Sequence, residues 1–447
     1  MAPRFALPLF LWGGLPTRSA PTPMGDDIGA CAAAPIVVGA DRTEMSRDVT
    51  IDAMLSTGYQ PRTGESWRDP YPMYRALRDE DPVHHVEGGD YWVVSRFADI
   101  FRAARDTETF SSAQGLTFEY DELAKAGLDE IAPMVFLDPP DHTEFRRLVA
   151  KGFTPRNVNE LEVDIRRFVI ERVERLRAEG GGDIVAELLK PLPSYVVAHY
   201  IGVPEEDRAQ FDGWTQGIVA ANALGDPLRA ADTVGALFGY FTELIERRRH
   251  DPGDDVISHL VSVSDATGVS PLRILGFAFT MVTGGNDTTT GLLSVGLELL
   301  SGAPDQRDAL VAERSLIPVA IDELLRLSSP VQGLARTTTV PVTIDGVDIP
   351  AGKKVLLLYG SGNRDEREFG ADAAQLHVRR APSTILTFGS GAHFCLGAAA
   401  ARLMGRIALE ELLARCPRFA VDAAAGRFAP GHFVRWYDSL PFVSDAG

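Results

Sequence analysis

The chain has 447 residues, 45% of them hydrophobic and 24% charged, an ordinary globular composition with enough apolar side chain for a large core. Its formal net charge of −18 argues against binding to nucleic acid or to an anionic membrane surface. No stretch reaches the roughly 20 apolar residues of a membrane span, and three cysteines, Cys31, Cys395 and Cys416, are too few and odd in number for a disulfide framework, which points to a reducing, cytoplasmic compartment.

Residues 1–65 are rich in Pro, Gly, Ala and Thr without periodicity. They read as a loose extension, disordered or not native, the latter if translation starts near Met45. Arg4 before the apolar run Phe5–Leu15 and Ser19-Ala20 after it would suit a signal peptide, but the run is short and broken by Pro8 and a glycine pair. From Trp67 the texture turns helical. Tyr71, Tyr74 and Leu77 share a helix face that Pro82 ends. Tyr91–Phe97 has the composition of a strand. The mixed stretch 111–133 suits a loop over a pocket. Helices are expected over His142–Phe153 and over Val163–Ala178, the second stopped by Gly180–Gly182. Three more follow, at 193–203, 211–224 and 234–250, with a turn at Gly225–Pro227. The longest helix is expected between Ser270, its N-cap, and Gly302, its stop, with Pro271 in the first turn. At ~1.5 Å per residue it runs about 45–50 Å, and its apolar residues on nearly all faces predict burial. Short strands follow at 340–350 and 353–360. The fold class is therefore mainly α with small β-sheets (α+β), without βαβ alternation. Residues 66–447 form one domain, because the motifs that carry chemistry are spread along it and must meet at one site.

Three motifs stand out. Within the long helix, Gly284-Gly285-Asn286-Asp287-Thr288-Thr289 puts two glycines mid-helix, each costing up to ~1 kcal/mol relative to alanine. Either tight helix packing or a groove that exposes backbone to a small molecule offsets this. Thr288 lies four residues after Gly284, so its hydroxyl can bond back to that carbonyl. Asp287 beside it can relay protons. Glu323 and Arg326 are three apart on one helix face, among Leu324, Leu325 and Leu327. Finally, Phe388–Gly397 reads FGSGAHFCLG and places Cys395 in a glycine-rich turn before an Ala-rich helix. A thiolate there gains from the helix N-terminus. Gly389 and Gly391 permit the sharp turn, and Gly397 keeps the helix start clear.

The pattern F-G-x-G-x-H-x-C-x-G is filled at every fixed position, and the chain from about Trp67 to its end resembles the cytochromes P-450. The runs at 67–85, 109–117, 151–156, 211–216 and 329–339 are most similar to a mycobacterial orphan family, 130. The resemblance implies the P-450 fold, a single haem-binding domain with a long central helix. It implies a monooxygenase that inserts one atom of dioxygen into a small apolar substrate, by hydroxylation or oxidative dealkylation. The cofactor would be haem b with Cys395 as the axial, metal-binding ligand. Asp287 and Thr288 would deliver protons over the haem, beside Gly284. His142, Arg146, Arg336 and His393 would meet the two haem carboxylates, with Phe388 and Gly397 completing the cofactor site. Glu323 and Arg326 would form a buried structural pair. Many relatives add a basic residue from a later loop, and here Gln375 falls where that residue is expected. Substrate contacts would come from Leu116, Phe118, Phe279, Thr283, Val331, Leu334 and Phe433. About fifty residues follow Cys395, too few for a flavin or iron–sulfur module, so a separate ferredoxin and ferredoxin reductase are expected to supply electrons. The ferredoxin would dock near Cys395, with Arg147, Lys151 and Arg402 as contacts. A second reading keeps the haem without turnover, as a sensor or carrier, and Asp287-Thr288 argues against it.

Overall fold

A computed structural model describes residues 58–122, 133–224 and 227–444 of the chain. The amphipathic runs form α1 (Tyr71–Glu80), α2 (Phe97–Arg105), α3 (Asp141–Val149), α4 (Pro155–Glu160), α5 (Glu162–Ala178), α6 (Pro191–Tyr200), α7 (Arg208–Leu224), α8 (Pro227–His250) and α9 (Val256–Thr267). After them come α10 (Pro271–Gly302), α11 (Pro304–Ala312), α12 (Ile317–Ser328), α13 (Tyr359–Gly362), α14 (Glu366–Phe369) and α15 (Ala398–Arg415). No described helix is long and apolar enough to cross a membrane.

Strands β1 (Val83–Val86), β2 (Tyr91–Val94), β3 (Phe110–Ser111), β4 (Gly181–Asp183), β5 (Leu334–Thr338), β6 (Val342–Ile344), β7 (Val347–Ile349) and β8 (Lys354–Leu357) precede the last helix. Four short ones, β9 (Ala420–Val421), β10 (Arg427–Phe428), β11 (Tyr437–Ser439) and β12 (Pro441–Val443), follow it. The largest sheet has the order β1-β2-β8-β5-β3. In it β2 and β8 run parallel, while β5 and β8 pair antiparallel with Arg336 opposite Val355.

Helix α10 is the axis of the molecule. Ser270 Oγ accepts the Arg273 N–H at 3.3 Å, as an N-cap should. The helix runs on for 32 residues and packs on α6, α8, α12 and α15. Two glycines let its neighbours close in. A Cβ on Gly285 would stand 2.8 Å from Val197 of α6, and one on Gly405 of α15 would stand 3.3 Å from Leu292.

Three expectations change. The strand expected to reach Phe97 ends at Val94, because Phe97 opens α2 and gives its N–H to Asp365 Oδ2 at 3.0 Å. Gly180–Gly182 do more than stop a helix. Gly181 and Gly182, with φ of +149° and +152°, belong to β4, which pairs with β12 so closely that a Cβ on Gly181 would strike the Phe442 carbonyl. The extension expected over 1–65 lies outside the described residues as far as residue 57. Residues 58–65 pack: Tyr59 is buried, Thr63 Oγ1 accepts the Gly431 N–H at 2.9 Å, and Glu65 Oε1 accepts the Phe428 N–H at 3.1 Å. The packed chain thus starts before residue 66.

Candidate active site

The cysteine loop is shaped by backbone that only glycine adopts readily. Gly389 and Gly391 have φ of +67° and +69°. Gly391 also seats the loop on α2, since a Cβ there would lie 3.0 Å from the Arg105 Cα. The Cys395 N–H donates to the Phe388 carbonyl at 2.8 Å, which closes the loop. Gly397 precedes α15, and a Cβ on it would meet no atom within 4 Å, because it borders open cavity. Burial pushes the Cys395 thiol up, and the Gly397 N–H, Arg146 and Arg402 oppose this without reversing it. The residue itself is exposed to the cavity, so its sulfur is open to a bound metal, which would favour the thiolate.

Across the same cavity runs the glycine turn of α10. Gly284 has open space where its Cβ would be, whereas Gly285 is packed. The two readings of the glycine pair are thus divided between its members: one exposes backbone, the other admits a helix. Thr288 Oγ1 donates to the Gly284 carbonyl at 2.9 Å. Asp287, also on the cavity wall, is pushed up to about 7 by burial, with Lys190 pulling it down and Asp438 pushing it up. Lys190 reaches Asp438 at 2.6 Å and lies 4.8 Å over the Trp436 ring, another wall residue.

The raised value fixes a pH dependence. An aspartate at 3.8 when unfolded and near 7 when folded holds its proton more tightly in the folded state, so this group's contribution falls as pH rises from about 4 to 7. Asp287→Asn keeps the shape and removes the titration. Its stability gain over the wild type should be larger at pH 8 than at pH 5, by up to about 2 kcal/mol in urea unfolding. An equal gain at both pH values would show that Asp287 ionises as freely as in water.

The cavity has a volume of about 470 Å³. Leu116, Phe279, Thr283, Val331, Leu334 and Phe433 all lie on its wall, as do Gly284, Arg336, Phe388, His393 and Cys395. Phe118 does not. It stacks on Tyr91 with centroids 4.9 Å apart and backs Phe433 at 5.3 Å, so it shapes the wall from behind. Sequence reasoning passed over Glu122, Tyr200, His432 and Trp436, which also line the cavity. Their segments carry no motif.

Basic side chains gather on one side of Cys395. The His142 and His393 rings are 4.2 Å apart, and His393 Nε2 is 3.2 Å from Ser112 Oγ. Burial pushes His393 down to about 3, helped by Arg336, His142 and Arg146. His142 is lowered by burial first and then by Arg146 and Arg336. Its buried Nδ1 has no hydrogen-bond partner. Neither Arg146 nor Arg336 forms an ion pair among the described residues; Arg146 donates to the Phe394 carbonyl and Arg336 to the Ala335 carbonyl. His142 and Arg146 stand behind the wall rather than on it. Two arginines without an ion pair among the described residues, beside two histidines held neutral and with Asp138 as the carboxylate acting on His142, leave positive charge for an anion. With a thiol and bare glycine backbone beside them, they fit a flat iron macrocycle bearing two carboxylates.

The supports of the site are buried. Glu323 and Arg326 are both fully buried and meet through two contacts of 2.8 Å. Their third partner is Arg380 rather than residue 375: Arg380 Nε lies 3.2 Å from Glu323 Oε1 and 3.0 Å separates Arg380 from Asp372. Asn363 donates to Ser329 Oγ and Thr387 Oγ1 and accepts the Leu386 N–H, tying α12 to the cysteine loop. Of the expected docking cations, Arg147 and Lys151 are exposed, while Arg402 is held by Asp322 at 2.8 Å and lies 4.6 Å over the Phe388 ring.

A family model described as Cytochrome P450 matches residues 84–422. The chain is 59% identical over 399 residues to Cytochrome P450 130 of Mycobacterium tuberculosis, covering 87% of this chain and 98% of the relative. It is 37% identical over 377 residues to Vitamin D(3) 25-hydroxylase of Pseudonocardia autotrophica, covering 83% and 92%. The solved structure of CYP109E1 from Bacillus megaterium in complex with testosterone matches with a TM-score of 0.75 at 31% identity, over 84% of this chain and 99% of that one.

Proposed function

The chain belongs to the cytochrome P450 family and is a haem monooxygenase that works with dioxygen and redox partners; from that premise we propose that Cys395 holds the iron of haem b, that Asp287 and Thr288 move protons above it, and that the substrate is a small apolar molecule. The single observation that carries this reading is one cavity walled by both Cys395 and the Asp287-Thr288 turn. When bound, the haem supplies oxygen activation and electron storage, with a thiolate pushing electron density toward O–O cleavage.

The chain's own residues do the rest. Arg146 and Arg336 receive the haem carboxylates, with His142 and His393 beside them as hydrogen-bond donors. Bare backbone at Gly284 would leave room in the cavity for a small molecule beside the bound group. Thr288 gives its proton to the Gly284 carbonyl, so its lone pairs face the cavity and can hold a water. Asp287, near 7, is protonated in a sizeable fraction at neutral pH and supplies a proton to that water. Phe279, Leu334 and Phe433 exclude bulk solvent and turn an apolar substrate toward the reacting face. Electrons arrive from a separate ferredoxin and its reductase, and exposed Arg147 and Lys151 offer the ferredoxin an electropositive contact. The domain expected from residue 66 onward acts as one unit in this reading, with residues 58–65 packed on it.

Thr288→Ala separates the enzyme from a sensor or carrier. In the enzyme it should cut product per electron consumed by about tenfold while oxygen uptake changes little, the balance leaving as hydrogen peroxide. Unchanged coupling in the presence of a turnover substrate would remove Thr288 from the proton path.

A further inference from the structure

Two side chains on the cavity wall offer lone pairs that no described residue uses. His432 Nδ1 is 3.0 Å from the Arg62 carbonyl oxygen. A carbonyl only accepts, so Nδ1 carries a proton, and in the tautomer with that proton alone Nε2 is an acceptor. Glu122 Oε2 accepts the Thr117 N–H at 2.8 Å and its hydroxyl at 2.7 Å, while Oε1 has no hydrogen bond among the described residues. Both residues line the cavity. They belong to one part of its wall, because Phe118, next to Thr117, lies 6.2 Å from the His432 ring and 5.3 Å from that of Phe433.

Helix α10 adds the same polarity. Thr280, Thr283 and Thr288 each donate to the carbonyl four residues back, at 2.7, 3.1 and 2.9 Å, and all three line the cavity. What they leave for a ligand is lone pairs. The basic wall residues, Arg336 and His393, belong to the cluster assigned above to the haem carboxylates. Lys354 lies beneath the Glu122 loop with its ammonium on the Gln114 carbonyl at 2.6 Å, and it forms no ion pair with Glu122 among the described residues.

From these two lone-pair groups, on a wall that elsewhere also carries the buried, unpartnered Tyr200 hydroxyl, we infer that the substrate is an apolar molecule carrying an O–H or N–H donor, which binds between His432 Nε2 and Glu122 Oε1. The inference rests on reading the cavity as the substrate pocket. Neutral acceptors such as ethers leave both lone-pair groups unpaired, and a carboxylate meets a carboxylate.

The test titrates the holoenzyme with one skeleton in four forms: 4-cyclohexylcyclohexanol, its methyl ether, the N,N-dimethylamine and the carboxylate. Affinity is read by calorimetry and by the ferric Soret shift. The alcohol, the ammonium or both should bind at least about tenfold tighter than the ether and the carboxylate. His432→Phe should erase most of that preference, and Glu122→Gln should remove any advantage of ammonium over alcohol. Which donor gains most identifies the source, hydroxyl or amine. Ether or carboxylate binding as tightly as both donors overturns the inference, as does a preference that survives both substitutions. The reduced carbon monoxide spectrum of the same samples checks the haem reading separately. A normal spectrum without donor preference sinks the inference alone, and an absent spectrum sinks the pocket reading beneath it.

Discussion

Cys395→Ser should abolish the red-shifted Soret band of the reduced carbon monoxide complex and lower turnover by about 10³-fold or more. The substitution is nearly isosteric, and the Cys395 N–H bond to the Phe388 carbonyl, at 2.8 Å, does not involve the side chain, so the loop should keep its shape. What changes is the donor. A serine hydroxyl is far less acidic than a thiol, and it cannot push electron density as sulfur does. Bound iron would favour the sulfur as thiolate, and the harder, less acidic serine oxygen is at a larger disadvantage. Cys416→Ser is the control. Cys416 is fully buried in the core and should affect stability while leaving the spectrum in place. A C395S protein that kept both spectrum and turnover would remove the central bond of the proposed function.

The parts of this site legible in the sequence are those written within one turn or one helix. FGSGAHFCLG encodes its own bend through Gly389 and Gly391, and Gly284-x-x-x-Thr288 encodes its own hydrogen bond, so both could be read without partners. The α+β class and the long axis followed from periodicity and caps. What could not be read depends on distant segments meeting. Phe118 and Leu116 are two residues apart, yet one is on the wall and the other behind it, because Tyr91 from β2 captures the Phe118 ring. Cys395 opens onto a cavity that Gly284 and Arg336, from distant segments, help to wall, which no local pattern reports. His432 acquires its role from Arg62, 370 residues away. The strand at Gly181–Asp183 lacks strand-forming residues and exists because β12 lies against it.

Arg326→Ala should destabilise the protein by about 3–5 kcal/mol, enough to lose most folded holoenzyme, because it leaves Glu323 as a fully buried charge without its main partner. Arg326 also donates to the Asn363 and Ala373 carbonyls, each at 2.7 Å, so its loss frees two buried acceptors as well. Arg380→Gln should cost only about 1 kcal/mol. Arg380 is 17% exposed, divides its charge between Glu323 and Asp372, and leaves Glu323 still paired with Arg326 and the His377 N–H. The sequence put Gln375 where a third basic group is expected because the intervening loop has no periodicity from which to count. Asp372–Gln375 instead turns back on itself through a 2.8 Å backbone bond and presents residue 380. A Glu323→Leu/Arg326→Met double variant should be more stable than Arg326→Ala alone, since no charge remains stranded. Urea unfolding followed by haem absorbance measures all three. If Arg380→Gln proved as damaging as Arg326→Ala, the ion pair would depend on the loop as much as on α12, and the buried carboxylate would be anchored from outside the helix that carries it.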